Sequence, residues 1–150
     1  MNIPKVRLAE KQDKERLLAT ILLGFSSDPF VRWLWPEASN YLECTPGFDA
    51  FGGGSVENGS AYITENFEGA ALWLPPGNSS EEDKFGEFLE ATTNKVVLED
   101  AFRVFESMDE YHPHEPCWYL PLIAVDPAHQ GAGFGAELMK HALKRIDDDG

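Results

Sequence analysis

The sequence is poor in cysteine and in positively charged residues. Its 150 residues include two cysteines, Cys44 and Cys117, which stand far apart and without the spacing of a metal site. Lys and Arg number 12 against 26 Asp and Glu, which gives a net charge of −14. This balance argues against nucleic-acid binding, which depends on clustered basic side chains, and permits a cationic partner such as an amine. We expect reduced thiols and a cytoplasmic location.

Long apolar runs are also missing. No stretch of the sequence approaches the roughly 20 apolar residues of a membrane-spanning helix, and the first residues are charged rather than apolar. We therefore expect neither a membrane partner nor a secretory signal. With 43% apolar residues, the chain is predicted to build one core, and residues 1–150 one domain.

Hydrophobic patterns along the chain predict both strands and helices. The predicted elements are a strand at Val6–Ala9, a helix capped by Asp13, a short helix in 30–36, a hairpin of 60–64 and 70–74, and two amphipathic helices with acidic outer faces in 76–115. Residues 39–60 contain Pro46-Gly47 and a triple glycine, which favour a flexible connection.

The stretch 118–146 is the most informative part of the sequence. Its first eight residues are rich in aromatic and branched side chains and predict a strand, which Asp126-Pro127 ends. Pro121 cannot donate a hydrogen bond in mid-strand, so we expect a bulge or a splayed edge there. Simple alternation places two sets of side chains on opposite faces: Trp118, Leu120, Leu122 and Ala124 on one, and Tyr119, Pro121, Ile123 and Val125 on the other.

A glycine-rich turn and an amphipathic helix follow this strand. The helix is predicted from the four-residue recurrence of Phe134, Leu138, Ala142 and Ile146. A helix start offers unpaired N–H groups and partial positive charge, and glycine lets a phosphate approach them closely. Strand, turn and helix together are therefore typical of an anion site.

The turn resembles the coenzyme A pyrophosphate loop of the GNAT family of N-acetyltransferases. The residues that carry the resemblance are Gln130, Gly133 and Gly135, in the pattern Q-x-x-G-x-G directly after a strand. The resemblance implies an α/β (α+β) fold in which a mixed, mostly antiparallel sheet is flanked by helices. It also implies an acyltransferase that moves an acetyl group, not an amino-acyl group, from acetyl-CoA to a primary amine by direct attack.

The resemblance assigns expected roles to particular residues. Backbone groups of the strand would pair with the pantetheine arm and polarise the thioester carbonyl, and the turn would hold the pyrophosphate of coenzyme A. The implied cofactor-binding residues are Leu122, Ile123, Ala124, Val125, Gln130, Gly131, Ala132, Gly133, Phe134, Gly135 and Ala136. Trp33 or Trp35 would line the pocket of the acceptor, a small-molecule or peptide amine whose identity the sequence leaves open.

The sequence also departs from the family pattern. Family members continue with a strand that forms the far wall of the cofactor cleft and a helix bearing a tyrosine that protonates the leaving thiolate. Here the sequence given stops at Gly150, so we expect a domain that lacks the C-terminal strands of the family. Either the sequence is a C-terminally incomplete copy of the family domain, or its sheet is completed by another chain, and we include a homodimer among the expected partners.

The general base is sought in the loop before the strand. His114 and Glu115 are the candidates, because histidine titrates near neutral pH and burial could raise the pKa of a carboxyl group. The neighbouring prolines rule out the helical His pair of a zinc site, so no metal is expected.

Three other interpretations use the same glycines. Gly131, Gly133 and Ala136 also fit the dinucleotide pattern G-x-G-x-x-G/A. That pattern follows its strand immediately, whereas here Pro127 to Gln130 intervene. A non-catalytic module that binds acyl-CoA would keep the same turn. A glycine-rich turn without any ligand is the remaining alternative.

Overall fold

The computed structural model describes residues 5–76, 82–110 and 117–149. Its strands are β1 (Val6–Leu8), β2 (Ala61–Thr64), β3 (Gly69–Leu74) and β4 (Tyr119–Val125). Its helices are α1 (Lys14–Gly24), α2 (Pro29–Leu34), α3 (Ala38–Tyr41), α4 (Thr45–Phe51), α5 (Glu82–Thr92), α6 (Lys95–Glu110) and α7 (Phe134–Asp149). The predicted hairpin, both acidic amphipathic helices and the C-terminal strand and helix are confirmed.

The described strands form one antiparallel sheet in the order β1-β2-β3-β4. The predicted mixed fold with a mostly antiparallel sheet is therefore confirmed. The dinucleotide interpretation expects parallel strands joined by a crossover helix, and the described sheet contains no parallel pair.

Strand alternation gives the sheet two apolar faces. Ile63 and Leu72 point to the side covered by α1, whereas Tyr62 and Trp73 point to the side where Leu138 and other residues of α7 pack. Both faces are buried, which explains why β3 is apolar throughout and β2 contains only one polar residue, Thr64, rather than an alternation of apolar and polar residues. The sheet, which ends in β4, therefore lies between α1 on one face and α7 on the other.

The start of α1 differs from the prediction. Asp13 occupies the predicted cap position, but its side chain makes no cap hydrogen bond. Its carboxylate instead accepts two hydrogen bonds from Arg7, at 2.7 and 3.0 Å, and one from the Glu10 backbone N–H at 2.9 Å. A guanidinium presents two parallel donors, so Arg7 outcompetes the helix N–H groups for this carboxylate.

The prediction of a flexible connection in 39–60 is wrong. This segment contains most of α3 and all of α4, and the glycine turn that follows is buried. The Ser55 hydroxyl donates to the Gly52 carbonyl oxygen at 2.6 Å and lies 2.8 Å from that of Trp73. Glycine is needed here partly because a Cβ on Gly52 would lie 2.6 Å from Leu72 Cδ1. The glycines therefore mark close packing against the sheet and not mobility.

Candidate active site

A bulge interrupts β4 at Pro121, as the sequence predicted. Leu122 pairs with Leu72, but Tyr119 pairs with Leu74, so three steps along β4 match two steps along β3. The extra residue falls around Pro121, which lacks the N–H that a regular ladder needs. The bulge therefore bends the strand just before the segment implied to bind the cofactor.

The bulge also reverses the side-chain parity of the strand. Leu122 and Ala124 pack in the core beside α1, whereas Trp118 and Leu120 pack with Ile123 against α7. The prediction that Trp118, Leu120, Leu122 and Ala124 share one face is wrong for this reason. Since one extra residue shifts every earlier side chain to the other face, periodicity alone fails across Pro121.

The edge of β4 beyond the bulge presents backbone groups away from the sheet. The Asp126 N–H donates to the Glu68 carbonyl oxygen at 2.8 Å, which fixes the alternation of the antiparallel ladder. By that alternation Leu122 and Ala124 bond to β3, while the N–H and C=O groups of Ile123 and Val125 point outward. Consistently, the Val125 carbonyl oxygen accepts a hydrogen bond from Gln130 Nε2 at 3.1 Å.

The turn after β4 is open and built on two glycines with positive φ. A short 3-10 turn over Pro127–His129 follows the strand, and Asp126 caps it by accepting from the Ala128 N–H. Gly131 and Gly133 have φ of 84° and 88°. A Cβ at either position would meet no atom within 4 Å. The turn is therefore an open, exposed cradle whose backbone shape L-residues with side chains rarely adopt.

Helix α7 begins inside this cradle. The Glu137 N–H donates to the Gly133 carbonyl oxygen at 3.1 Å, so the helix ladder starts at that glycine. The N–H groups of Phe134, Gly135 and Ala136 precede the first ladder bond and lack intrahelical acceptors. They lie at the positive end of a 16-residue helix, next to a turn with no side-chain cover. This geometry suits an anion.

A cavity of about 220 Å³ lies on the α1 side of the sheet. Pro121 and Leu122 form part of its wall, so the cavity borders the bulge of β4. The opposite walls come from α2, α4, α5 and α6, and they are mainly aromatic. Phe51, Phe85 and Phe105 touch one another there, with ring centroids 5.1 to 6.0 Å apart.

The two tryptophans implied for the acceptor pocket have different surroundings. Trp35 is only 2% exposed, lines the cavity and donates from Nε1 to the Thr92 hydroxyl at 2.9 Å. Trp33 is 37% exposed and is not part of the cavity wall. The hydrogen bond to Thr92 fixes the Trp35 ring, which makes that ring a rigid wall.

Among the described residues of the cavity wall, one side chain, that of Asp28, is charged. Asp28 caps α2, where its Oδ1 accepts a hydrogen bond from the Val31 N–H at 3.0 Å. Within the described ranges no Lys or Arg forms an ion pair with it. The sequence analysis did not single out Asp28, because its position before Pro29 already has a sufficient explanation as a helix cap.

The predicted base candidates, His114 and Glu115, lie outside the described residues. In the described part of the chain, no group of three or more His, Cys, Asp or Glu side chains is arranged to hold a metal ion. No helix among the described residues is long and apolar enough to cross a bilayer. Cys44 is buried and Cys117 exposed, and both thiols are free.

Sequence reasoning also missed the contributions of α5 and α6 to the cavity. Phe85 and Phe105 lie on the apolar faces of the two predicted amphipathic helices, where core packing alone would explain them. What the sequence did not reveal is that both rings meet Phe51 of the segment predicted to be flexible. An aromatic residue at helical spacing is usually core, so no local signal would have identified these walls.

The chain is similar in sequence and structure to known acetyltransferases. The model of the acetyltransferase (GNAT) family matches residues 82–150. A Corynebacterium glutamicum structure, described as histone acetyltransferase HPA2 and related acetyltransferase, superposes with a TM-score of 0.66 at 21% identity, covering 95% of this chain and 71% of that one.

Two further structures share the fold. Drosophila melanogaster polyamine N-acetyltransferase, described as forming N-acetylagmatine, has a TM-score of 0.60 and 19% identity, over 97% of this chain and 71% of its own. A Brucella melitensis GNAT acetyltransferase in complex with acetyl-CoA has a TM-score of 0.53 and 15% identity, over all of this chain (100%) and 72% of its own. Residues 82–150 thus match the GNAT acetyltransferase family, and the chain shares the fold of solved acetyltransferases.

Proposed function

We propose that this protein transfers an acetyl group from acetyl-CoA to a primary amine held in the aromatic cavity. The observation that carries the proposal is the open turn at Gly131 and Gly133, which leads into the unpaired N–H groups at the start of α7. A diphosphate is the ligand that such a cradle suits best, because it accepts several N–H bonds and is stabilised by the helix dipole.

The rest of the cofactor would follow the edge of β4. The outward N–H groups of Ile123 and Val125 and the C=O group of Ile123 are available to pair with the pantetheine arm, while Leu122 and Ala124 support the strand from the other side. Gln130 holds the Val125 carbonyl oxygen through its side-chain amide, which keeps strand end and turn together. All eleven residues implied by the sequence therefore lie in one continuous strand, turn and helix start.

The acceptor would lie on the other side of the bulge. Pro121 and Leu122 separate the edge of β4 from the aromatic cavity, so a short chain reaching out of the cavity meets the strand where it bends. Acetyl-CoA supplies an activated thioester: the amine nitrogen forms the new C–N bond, the C–S bond breaks, and the proton lost by nitrogen balances the one gained by the thiol. His114 and Glu115 remain the proposed residues for accepting the proton of the amine.

Replacing Gly133 with glutamate tests the phosphate cradle. Gly133→Glu places a carboxylate in the open turn and strains a backbone with φ of 88°, so calorimetry should show acetyl-CoA binding weakened by at least about 100-fold. Gly59→Glu is the matched control. Gly59 also has a positive φ, 70°, with open space around it, but it lies in the turn before β2.

The control separates backbone strain from loss of the ligand site. Gly59→Glu should keep wild-type affinity even if its melting temperature falls. Equal loss of affinity in the two variants, or wild-type affinity in Gly133→Glu, would contradict the proposed cradle. Release of free thiol in the presence of amines then distinguishes a transferase from a module that only binds acyl-CoA.

A further inference from the structure

We infer that the acceptor is a monoamine with an aromatic or similarly apolar body, whose ammonium group is recognised by Asp28. This inference rests on the proposed function and narrows its substrate class. It concerns a choice that the fold leaves open, since one structural relative is described as a polyamine acetyltransferase.

The walls of the cavity favour an apolar body. Phe25, Phe30, Phe48 and Trp35 line one part, and Phe51, Phe85 and Phe105 line another. Rings prefer edge-to-face or offset contact with other rings, and the wall already contains such contacts, for example between Phe30 and Phe105 with centroids 5.7 Å apart. An aromatic ring in the cavity would extend this packing, whereas a polar chain would lose hydrogen bonds to water without replacing them.

The size of the cavity favours a small ligand. Its volume of about 220 Å³ lies below the roughly 300–1,000 Å³ of pockets that enclose drug-sized molecules. A single ring with a short aminoalkyl chain fits this space better than a folded peptide segment does. Asp28, Pro121 and Leu122 line the same cavity, so an ammonium group held by Asp28 lies in the space that borders the strand. It must lose one proton to solvent before the neutral amine attacks the thioester.

The charge of the cavity wall favours a ligand with a single amino group. Asp28 is the one charged side chain among the described residues of the wall, and no described cation pairs with it. A single carboxylate can compensate a single ammonium group. A second cationic group, as in a polyamine or a guanidinylated amine, would meet no further carboxylate among the described residues of the wall and would be buried among aromatic rings, which is costly.

A panel of amines tests the preference of the full-length chain. Phenylethylamine, hexylamine, agmatine and spermidine are compared by release of free thiol from acetyl-CoA. We expect kcat/KM for phenylethylamine to exceed that for agmatine and spermidine by at least about tenfold, which corresponds to one well-placed ionic or packing contact. A preference for the dications would overturn the inference and leave the proposed function intact.

Asp28→Asn tests the carboxylate without removing the cap. Asparagine caps helices as well as aspartate does, so α2 should persist and the melting temperature should stay within error. We expect KM for phenylethylamine to rise about tenfold with little change in kcat. An unchanged KM would show that Asp28 does not recognise the ammonium group.

A matched pair on α6 tests the cavity itself. Met108 and Val104 are both exposed apolar residues, 40% and 37%, but only Met108 lines the cavity. Met108→Lys should lower kcat/KM for phenylethylamine strongly, since it adds a positive charge at the cavity, while Val104→Lys should leave it unchanged. Equal effects of the two variants would contradict binding in this cavity.

A separate readout distinguishes failure of the inference from failure of the proposed function. If acetyl-CoA binds and none of the amines releases thiol, the transferase proposal fails. Binding of phenylethylamine is then followed by tryptophan fluorescence, because Trp35 lines the cavity. A response that Asp28→Asn weakens would support the inferred ligand class, and no response would overturn it.

Discussion

At the scale of single residues, two carboxylates of this protein differ in the groups that lie next to them. Asp13 lies beside Arg7, and their double hydrogen bond lowers the pKa of the Asp13 carboxyl group to about 2. Asp28 meets only backbone N–H and aromatic walls among the described residues. Both aspartates stand close to helix starts, so the sequence does not distinguish their surroundings. Only the distance to a guanidinium separates them.

The Arg7–Asp13 pair predicts a specific dependence of stability on pH. Because the folded-state pKa of Asp13 lies below its ordinary value of 3.8, the stabilisation is present above pH 3.8 and is lost as the pH falls through about 2. Asp13→Asn should lower the free energy of unfolding by about 1–2 kcal/mol at neutral pH, and the difference should shrink towards pH 2. Urea unfolding of both proteins across this range provides the measurement.

Glu99→Gln is the control for this pair. Glu99 pairs with Arg103 on the exposed side of α6, with both side chains more than two-thirds exposed. Such surface pairs contribute about 0.5 kcal/mol or less. If Glu99→Gln cost as much as Asp13→Asn, burial of Asp13 would not explain its effect.

At the scale of elements, the position of β4 depends on how closely α1 approaches it. A Cβ on Gly24, the last residue of α1, would lie 2.4 Å from Ala124 Cβ and 3.3 Å from the Val125 backbone nitrogen. Helix and strand therefore touch directly at the residues proposed to support the pantetheine arm. The bulge at Pro121 and this contact together fix where the outer edge of β4 lies.

Gly24→Ala should disturb both stability and cofactor binding. We expect a loss of about 1–3 kcal/mol in the free energy of unfolding, typical of an overpacked interface, because Ala124 and the backbone of β4 must move. Acetyl-CoA affinity measured by calorimetry should fall with it. Gly86→Ala in α5 is the matched helical control, since a Cβ there meets only Phe102 Cε1 at 3.9 Å.

Gly24→Ala and Gly86→Ala should change the free energy of unfolding in opposite directions. Gly86→Ala should be neutral or stabilise the protein by up to about 1 kcal/mol, because alanine favours helix more than glycine does. Wild-type stability and affinity in Gly24→Ala would show that α1 does not position β4.

The elements that the sequence predicted correctly are those with a local cause. The hairpin, the helices α5 and α6, and the strand, turn and helix from Tyr119 onward follow from periodicity and from turn residues. The bulge also has a local cause, because Pro121 lacks an N–H. Its effect on side-chain direction has no local cause, since the face on which Leu120 lies depends on how β4 pairs with β3.

At the scale of the whole molecule, the features missed by the sequence are products of distant contacts. The segment 39–60 packs as helices and buried turns because it lies between the sheet and α5, which residue composition does not reveal. The cavity likewise needs walls from α2, α4, α5 and α6 at once. The glycine turn was predicted because all its parts are adjacent in sequence, whereas the sequence indicated only Trp35 of the cavity wall, because the other walls come from separate elements.

The net charge of −14 predicts a dependence of stability on salt. Like charges repel in the compact state, and raising sodium chloride from about 10 to about 200 mM shortens the screening length from roughly 30 Å to below 10 Å. We expect the melting temperature at pH 7 to rise by about 2–4 °C, which corresponds to about 1 kcal/mol for a chain of this size. At a pH near the sequence pI of 4.5, the same titration should have little effect, because the net charge is then close to zero.

Capture of a cationic acceptor should respond in the opposite direction, with kcat/KM falling as salt screens its attraction to the acidic surface. A melting temperature that falls with salt at pH 7 would show that specific ion pairs outweigh the overall repulsion.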